Sequence, residues 1–173
     1  MNKKLEVKLL GKFEVSGDGK PITISSRPAQ SLFAYLILSA GTSHRREKLA
    51  GLLWPDSLEG TARDNLRHAL WRLRKSLPSS QQPKEEYLIT DDLSITFNAS
   101  AEYWLDATAF EKLSENASAE ELISVLSSYQ GELLPGFYDE WVMLEREHLY
   151  SIFEHHYLTC WWIGRIHLSA SFH

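Results

Sequence analysis

The stretch Thr61-Ala-Arg-Asp-Asn-Leu-Arg-His-Ala-Leu-Trp-Arg-Leu-Arg-Lys-Ser-Leu77 constrains the fold more than any other part of this chain. At about 100° per residue, Ala62, Leu66, Ala69, Leu70, Leu73 and Leu77 share one side of a helix. Asp64, His68, Trp71, Arg72 and Lys75 lie opposite, with Asn65, Arg67 and Arg74 on the flanks. One face must therefore pack and the other must be displayed. The displayed side is cationic, because the segment holds five Lys or Arg against Asp64 alone. Such a surface suits phosphates and base edges. Pro78 ends the helix, since it cannot continue the hydrogen-bond ladder. An isolated basic helix is commonly no more than a solvated face, so its neighbours decide what this one does.

Upstream, Leu5 to Val15 alternates apolar odd positions with mostly charged even ones, the pattern of a half-buried strand or pair of strands that Gly11 bends. Ser16-Gly17-Asp18-Gly19 supplies a turn before Pro21-Ile22-Thr23-Ile24, so a small antiparallel sheet is expected. Ser26 can cap a first helix with Pro28 in its opening turn and Ala29, Leu32, Phe33, Leu36 and Ile37 on one face until Gly41. Ser43 can cap a second helix in which Leu49, Leu52, Leu53 and Trp54 face the core and Pro55 closes the end. The basic helix follows directly, giving a helix-turn-helix order whose last helix enters the major groove. Pro78 to Glu86 reads as a loop, and Tyr87 to Phe97 alternates on both sides of Asp91-Asp92, a hairpin placed as a wing.

The total charge of −5 conceals a polarity along the chain. Residues 1–98 hold 15 Lys or Arg against 11 Asp or Glu, and residues 99–173 hold 3 against 12. A polyanion would meet only the front half, because local fields decide where it docks. Cys160 is the single cysteine, which excludes an internal disulfide and fits a reducing, cytoplasmic setting. The N-terminus lacks the continuous apolar core of a signal peptide or membrane span. Glu154, His155, His156 and Cys160 have no zinc-motif spacing, and adjacent helical residues diverge, so no metal is expected. No base is paired with Cys160 and no glycine-rich phosphate loop occurs, so neither an enzyme nor a cofactor is expected.

The back half reads as helical. Asp106 can cap a helix to about Glu115, and Ser118 one that packs Leu122, Ile123, Val125, Leu126 and Tyr129 before Gly131. From Asp139, Trp141, Leu144, Leu149, Ile152, Phe153, Tyr157 and Trp161 fall at the spacing of a long amphipathic helix. Trp54, Trp104 and Trp141 are expected to pack within apolar surroundings; Trp71, on the displayed side of the basic helix, is expected to pack against the wing or hinge region, the alternative being that it rests on a sugar-phosphate edge.

Leu10-Gly-Lys-Phe-Glu-Val15, Leu52-Leu-Trp-Pro-Asp56 and Ala62 to Leu77, in that order, resemble the SARP (antibiotic regulatory protein) family of bacterial transcriptional activators. Trp104 to Glu111 and Tyr129 to Trp141 resemble the opening of that family's bacterial transcriptional activator domain. The resemblance implies an OmpR-type winged helix over residues 1–98 and, over 99–173, the start of a tetratricopeptide-like helical domain. It also implies direct-repeat operators and recruitment of RNA polymerase. It fades after about Tyr157, where Cys160 to His173 does not look like continuing helical repeats, so the second domain is expected to be incomplete. A lone repeat would leave the stripe of its long helix uncovered and self-associating.

The expected fold is thus an α+β winged helix, with an N-terminal antiparallel sheet, three helices and a hairpin wing, followed by an all-α segment. The expected partner is duplex DNA. Asn65, His68, Arg72 and Lys75 are expected to reach bases or nearby phosphates, with Arg67, Arg74, Arg45 and Arg46 holding the backbone. The competing expectation is a protein-interaction module whose winged helix is only a scaffold. The acidic wing tip, Asp91-Asp92, would repel phosphate.

Overall fold

The alternation at the start of the chain forms β1 (Leu5–Lys8), with Leu5 and Val7 buried and Glu6 and Lys8 exposed. The structure is a computed structural model describing residues 4–78, 86–111 and 118–170, without the side chains of residues 109, 110, 119, 127, 128 and 159–170. By packing, the chain divides into two units: residues 1–7 with 14–104, and residues 8–13 with 105–173. The expected boundary after Asn98 follows the chain linearly. Packing instead places residues 99–104 in the first unit and 8–13 in the second.

In the first unit, β2 (Glu14–Gly17) and β3 (Lys20–Pro21) pair antiparallel in the register Ser16↔Pro21 and Gly17↔Lys20. Asp18 and Gly19 both take positive φ, 51° and 74°, as a two-residue hairpin turn twisted with its strands requires. β7 (Tyr103–Leu105) completes a sheet of order β3-β2-β1-β7. This corrects the expectation of an all-helical back half. Exposed Trp104 precedes buried Leu105 there, so alternation rather than helical spacing governs the segment before Asp106.

The helical core follows. α1 (Arg27–Leu38) buries Ala29, Leu32, Phe33, Leu36 and Ile37, with Ser26 at its N-cap position but no side-chain capping bond. α2 (Arg46–Leu53) buries Leu49, Ala50 and Leu53, whereas Leu52 and Trp54 are only half-buried. Its N-cap is Arg45, not Ser43, because residues 44 and 45 form β4 (His44–Arg45). α3 (Glu59–Ser76) ends against Leu77, whose extended backbone is what a following proline imposes. β5 (Leu88–Thr90) and β6 (Ser94–Phe97) form the hairpin, in the register Leu88↔Phe97, Ile89↔Thr96 and Thr90↔Ile95. β4 adds to its other edge through His44↔Ile95 and Arg45↔Ser94. The result is a winged-helix arrangement whose wing is tied to the start of α2. Of the expected loop after Pro78, residues 79–85 lie outside those described.

In the second unit, α4 (Asp106–Glu111), α5 (Ala119–Ser128) and α6 (Glu140–Ala170) pack with residues 8–13. Gly11 (φ 78°) and Gly131 (φ 146°) approach so closely that a Cβ on Gly11 would meet the Gln130 carbonyl oxygen at 2.6 Å. Glycine is required there by space as well as by backbone. The buried Asp106 carboxylate accepts from the backbone N–H of Leu9 (2.9 Å), Leu10 (2.9 Å) and Ala107 (2.8 Å), tying a non-helical segment to a helix start. Burial pushes its pKa up, against the lowering pull of those N–H groups. Ser118 caps α5 with a full capping box to Glu121. Arg146 on α6 donates to the carbonyls of Leu133 (2.6 Å), Leu134 (2.6 Å) and Phe137 (3.0 Å), which holds the turn where Leu134 takes a φ of 49°. Three expected packing positions, Ile123, Leu144 and Tyr157, are exposed instead. The amphipathic stripe of α6 rests on Trp141, Val142 and Leu149. The helix continues through Cys160 to Ala170. Residues 112–117 and the side chains of Cys160 and Trp161 lie outside those described.

Candidate nucleic-acid interface

The placement of α3 follows from its buried residues. Ala62, Leu66, Ala69, Leu70 and Leu73 are buried, so the remaining angular range faces outward or onto two flanks. Asp64, Arg67, His68, Trp71, Arg72, Arg74 and Lys75 are exposed and Asn65 is half-buried. On one flank, Arg45, Arg46, Arg63, Arg67, Asp92 and Leu93 line a cleft of about 310 Å³ between α2, α3 and the wing. On the other, Asn65, His68 and Arg72 border a shallow hollow of about 150 Å³ with Ser26, Pro28 and Trp54.

The cations of this surface fall into two kinds. Arg46 is committed to the wing: its backbone N–H donates to the Leu93 carbonyl (2.9 Å) and its Nε to the Asp91 carbonyl (3.0 Å). Arg74 donates through Nη2 to Thr90 Oγ1. The hairpin is thereby latched to α2 and to α3 by two of the arginines expected to hold phosphate. Arg63, which the sequence reading did not single out, pairs with Glu47 (3.3 Å) and Glu59. Its only sequence signal was the Glu59–Arg63 spacing of one helical turn. Arg67 pairs with Asp64 at 3.1 Å, both well exposed, an interaction that water screens and a phosphate can displace. Arg45 and Arg72 are exposed and make no ion pair among the described residues. Lys75 places its ammonium 5.1 Å from the centre of the Trp71 ring.

The wing tip is built rather than merely acidic. The Asp91 carboxylate accepts from Leu93 N (2.7 Å), Ser94 N (2.6 Å) and Ser94 Oγ (2.7 Å). These bonds hold its carboxyl below the usual range, the Ser94 hydroxyl contributing most. Asp91 therefore closes the turn, and Asp92 lines the cleft. Trp71 departs from the preferred packing expectation, since it is 59% exposed with the Lys75 ammonium against its ring. Trp141 is buried as expected, Trp54 half-buried, and Trp104 stands at the margin of exposure.

In the second unit, donor atoms of Glu111, Glu145 and His148 lie within 4.8 Å of one another, a grouping that sequence spacing could not show because it joins two helices. His148 Nε2 stands 3.6 Å from Glu111 Oε1. Burial pushes the Glu145 carboxyl up. All the same, these are exposed or half-exposed groups at an ordinary helix-helix edge. Among the described residues, no helix is long and apolar enough to cross a membrane.

No family model matches the sequence, and no curated protein matches it. Among solved structures the chain is similar to Mycobacterium tuberculosis EmbR, determined in complex with a low-affinity phosphopeptide. The two superpose with a TM-score of 0.75 at 19% identity, over 90% of this chain and 44% of EmbR. The chain thus spans less than half the length of that protein. At this identity the likeness establishes a shared fold.

Proposed function

We propose that this chain is a sequence-specific duplex-DNA-binding regulator of transcription. The observation that carries the reading is the outer face of α3. Its apolar stripe is buried, while Arg67, His68, Arg72 and Lys75 are displayed beside a wing latched by Arg46 and Arg74. A scaffold that only packs has no use for such a face. In this reading α3 lies in the major groove, where Arg and Asn side chains suit guanine and adenine edges. Asn65, His68, Arg72 and Lys75 read bases or adjacent phosphates, and Arg45 and Arg67 hold the backbone. Arg46 and Arg74 position the wing and offer their remaining N–H groups to phosphate. The fold shared with EmbR and the resemblance to antibiotic regulatory proteins support a bacterial activator acting in the cytoplasm. Recruitment of RNA polymerase at direct-repeat operators goes with that kinship. The reading assigns the chain no catalytic chemistry and no cofactor.

The test is fluorescence anisotropy of the full chain on random-sequence duplex between about 50 and 200 mM salt, followed by selection of preferred sites from a random pool. Binding should weaken steeply with salt, by about 0.9 log units per log unit for each phosphate contacted. Arg72→Ala with Lys75→Ala should lower both the affinity and that slope. If the double variant binds with unchanged affinity and slope, another surface holds the DNA. If the parent chain binds no duplex, the regulator reading itself is lost.

A further inference from the structure

We infer that Trp71 is a specificity-determining residue that reads thymine methyl groups in the major groove. This rests on the DNA reading above and names the feature of the duplex that the centre of α3 recognises. Trp71 is the one large apolar side chain exposed on α3, with 59% of its surface in solvent. The fold does not require it, for Leu70 and Leu73 beside it supply the buried contacts. Around it the helix carries basic side chains at the positions that surround a helical residue: Arg67 and Lys75 one turn away on either side and Arg74 three residues on, with the His68 imidazole three residues before. The surface is therefore an apolar centre flanked by basic side chains, with Asp64 paired to Arg67 at its edge. A major groove presents the complement, thymine C5-methyl groups between two rails of phosphate.

The Lys75 ammonium, 5.1 Å from the ring centre, takes one side of the indole through a cation–π contact. That contact restrains the ring before binding, so less side-chain freedom remains to be lost on the DNA. It also places a cation beside the apolar contact, where a phosphate can reach it. Arginine and asparagine on the same helix read hydrogen-bonding edges, which leaves thymine methyls to an apolar group. The wing beside α3, latched through Thr90 and the Asp91 carbonyl, favours a duplex over an acidic protein as the occupant of this face.

The experiment uses the full chain and duplexes that the parent selects from a random pool. Each thymine in a selected site is replaced singly by deoxyuridine, which removes only the C5-methyl group. Anisotropy should show one or two positions where the parent binds about fourfold more weakly, the change expected for uncovering one methyl-sized apolar group. Trp71→Ala should bind the thymine duplex more weakly and show no thymine-uracil difference at those positions. Trp71→Phe, which keeps an aromatic ring, should retain part of that difference. Arg72→Ala should weaken thymine and uracil duplexes alike and keep their ratio. The inference is overturned if the parent binds its selected site but responds to no uracil substitution, or if Trp71→Ala still discriminates. It is also overturned if Trp71→Ala binds the thymine duplex as tightly as the parent does. Failure of the parent to bind any duplex removes the DNA reading and this inference with it.

Discussion

α3 and α6 have the same construction in sequence, an apolar stripe at three-four spacing, but use their other faces in opposite ways. On α3 everything apolar is buried except Trp71, and the outward face is cationic. On α6 the buried side is Trp141, Val142 and Leu149, while Met143, Leu144, Tyr150, Tyr157 and Leu158 stand exposed beside Glu140, Glu147 and Glu154. Their arginines differ in the same sense. Arg72 is displayed, whereas Arg146 is turned inward onto three backbone carbonyls. The first unit thus displays Arg72 while committing Arg46 and Arg74 to the wing, and in the second unit Arg146 is committed to a turn. An arginine on an amphipathic helix reports function only once the position of its guanidinium is known.

The largest expected effect tests the buried stripes. Leu73→Ala should lower unfolding free energy by about 3 kcal/mol, as removal of a fully buried leucine does, while Leu144→Ala, at 64% exposure, should change it by less than about 0.5 kcal/mol. Urea titration followed by circular dichroism compares them. Equal losses would mean that Leu144 has a covering partner in solution. Next, Arg146→Ala should cost about 2 kcal/mol, since three turn carbonyls lose a charged donor, and Arg146→Lys should restore only part because an ammonium lacks the planar fork. Arg72→Ala should melt like the parent while weakening duplex binding. The contrast collapses if Arg146→Ala melts normally.

A smaller effect concerns the exposed side of α6. If the stripe joins copies of the chain, light scattering should show an average mass that rises with concentration. The Leu144→Ser, Leu158→Ser double variant should keep it flat. The smallest effect is a pH dependence in the first unit. His44 is buried beside Tyr35, with ring centres 5.0 Å apart, and its Nε2 lies 2.7 Å from Ser39 Oγ. The Ser39 hydroxyl donates to the Tyr35 carbonyl, so it accepts from His44. Burial and then the Lys48 ammonium hold the His44 pKa below the ordinary imidazole value. Between that lowered value and about 6.5 the unfolded chain binds more protons than the folded one. Stability should be full above about pH 6.5 and fall as pH drops through the folded value. Melting temperatures of the parent and His44→Gln between pH 5 and 8 measure this, and parallel profiles would remove His44 as the cause.

Elements whose signals are local were legible in the amino-acid order alone. The period of the Ala62 to Leu77 stripe sets which side of α3 is buried, the Asp18-Gly19 pair suits a tight hairpin, and Ser118 with Glu121 makes a cap. Each depends on residues no more than about one or two helical turns apart, so backbone preference and burial act together within the segment. The rest depended on contacts between segments distant in the chain. Strand β7 forms because β1 offers an edge, residues 8–13 pack with the second unit through Asp106 and the Gly11–Gly131 approach, and β4 displaces Ser43 as a cap by pairing with the wing. Which arginines are tied to the wing was decided in the same way. Arg46 and Arg74 meet the wing hairpin across 45 and 16 residues of chain, and a hydrogen bond between groups so far apart in sequence has no periodicity to announce it.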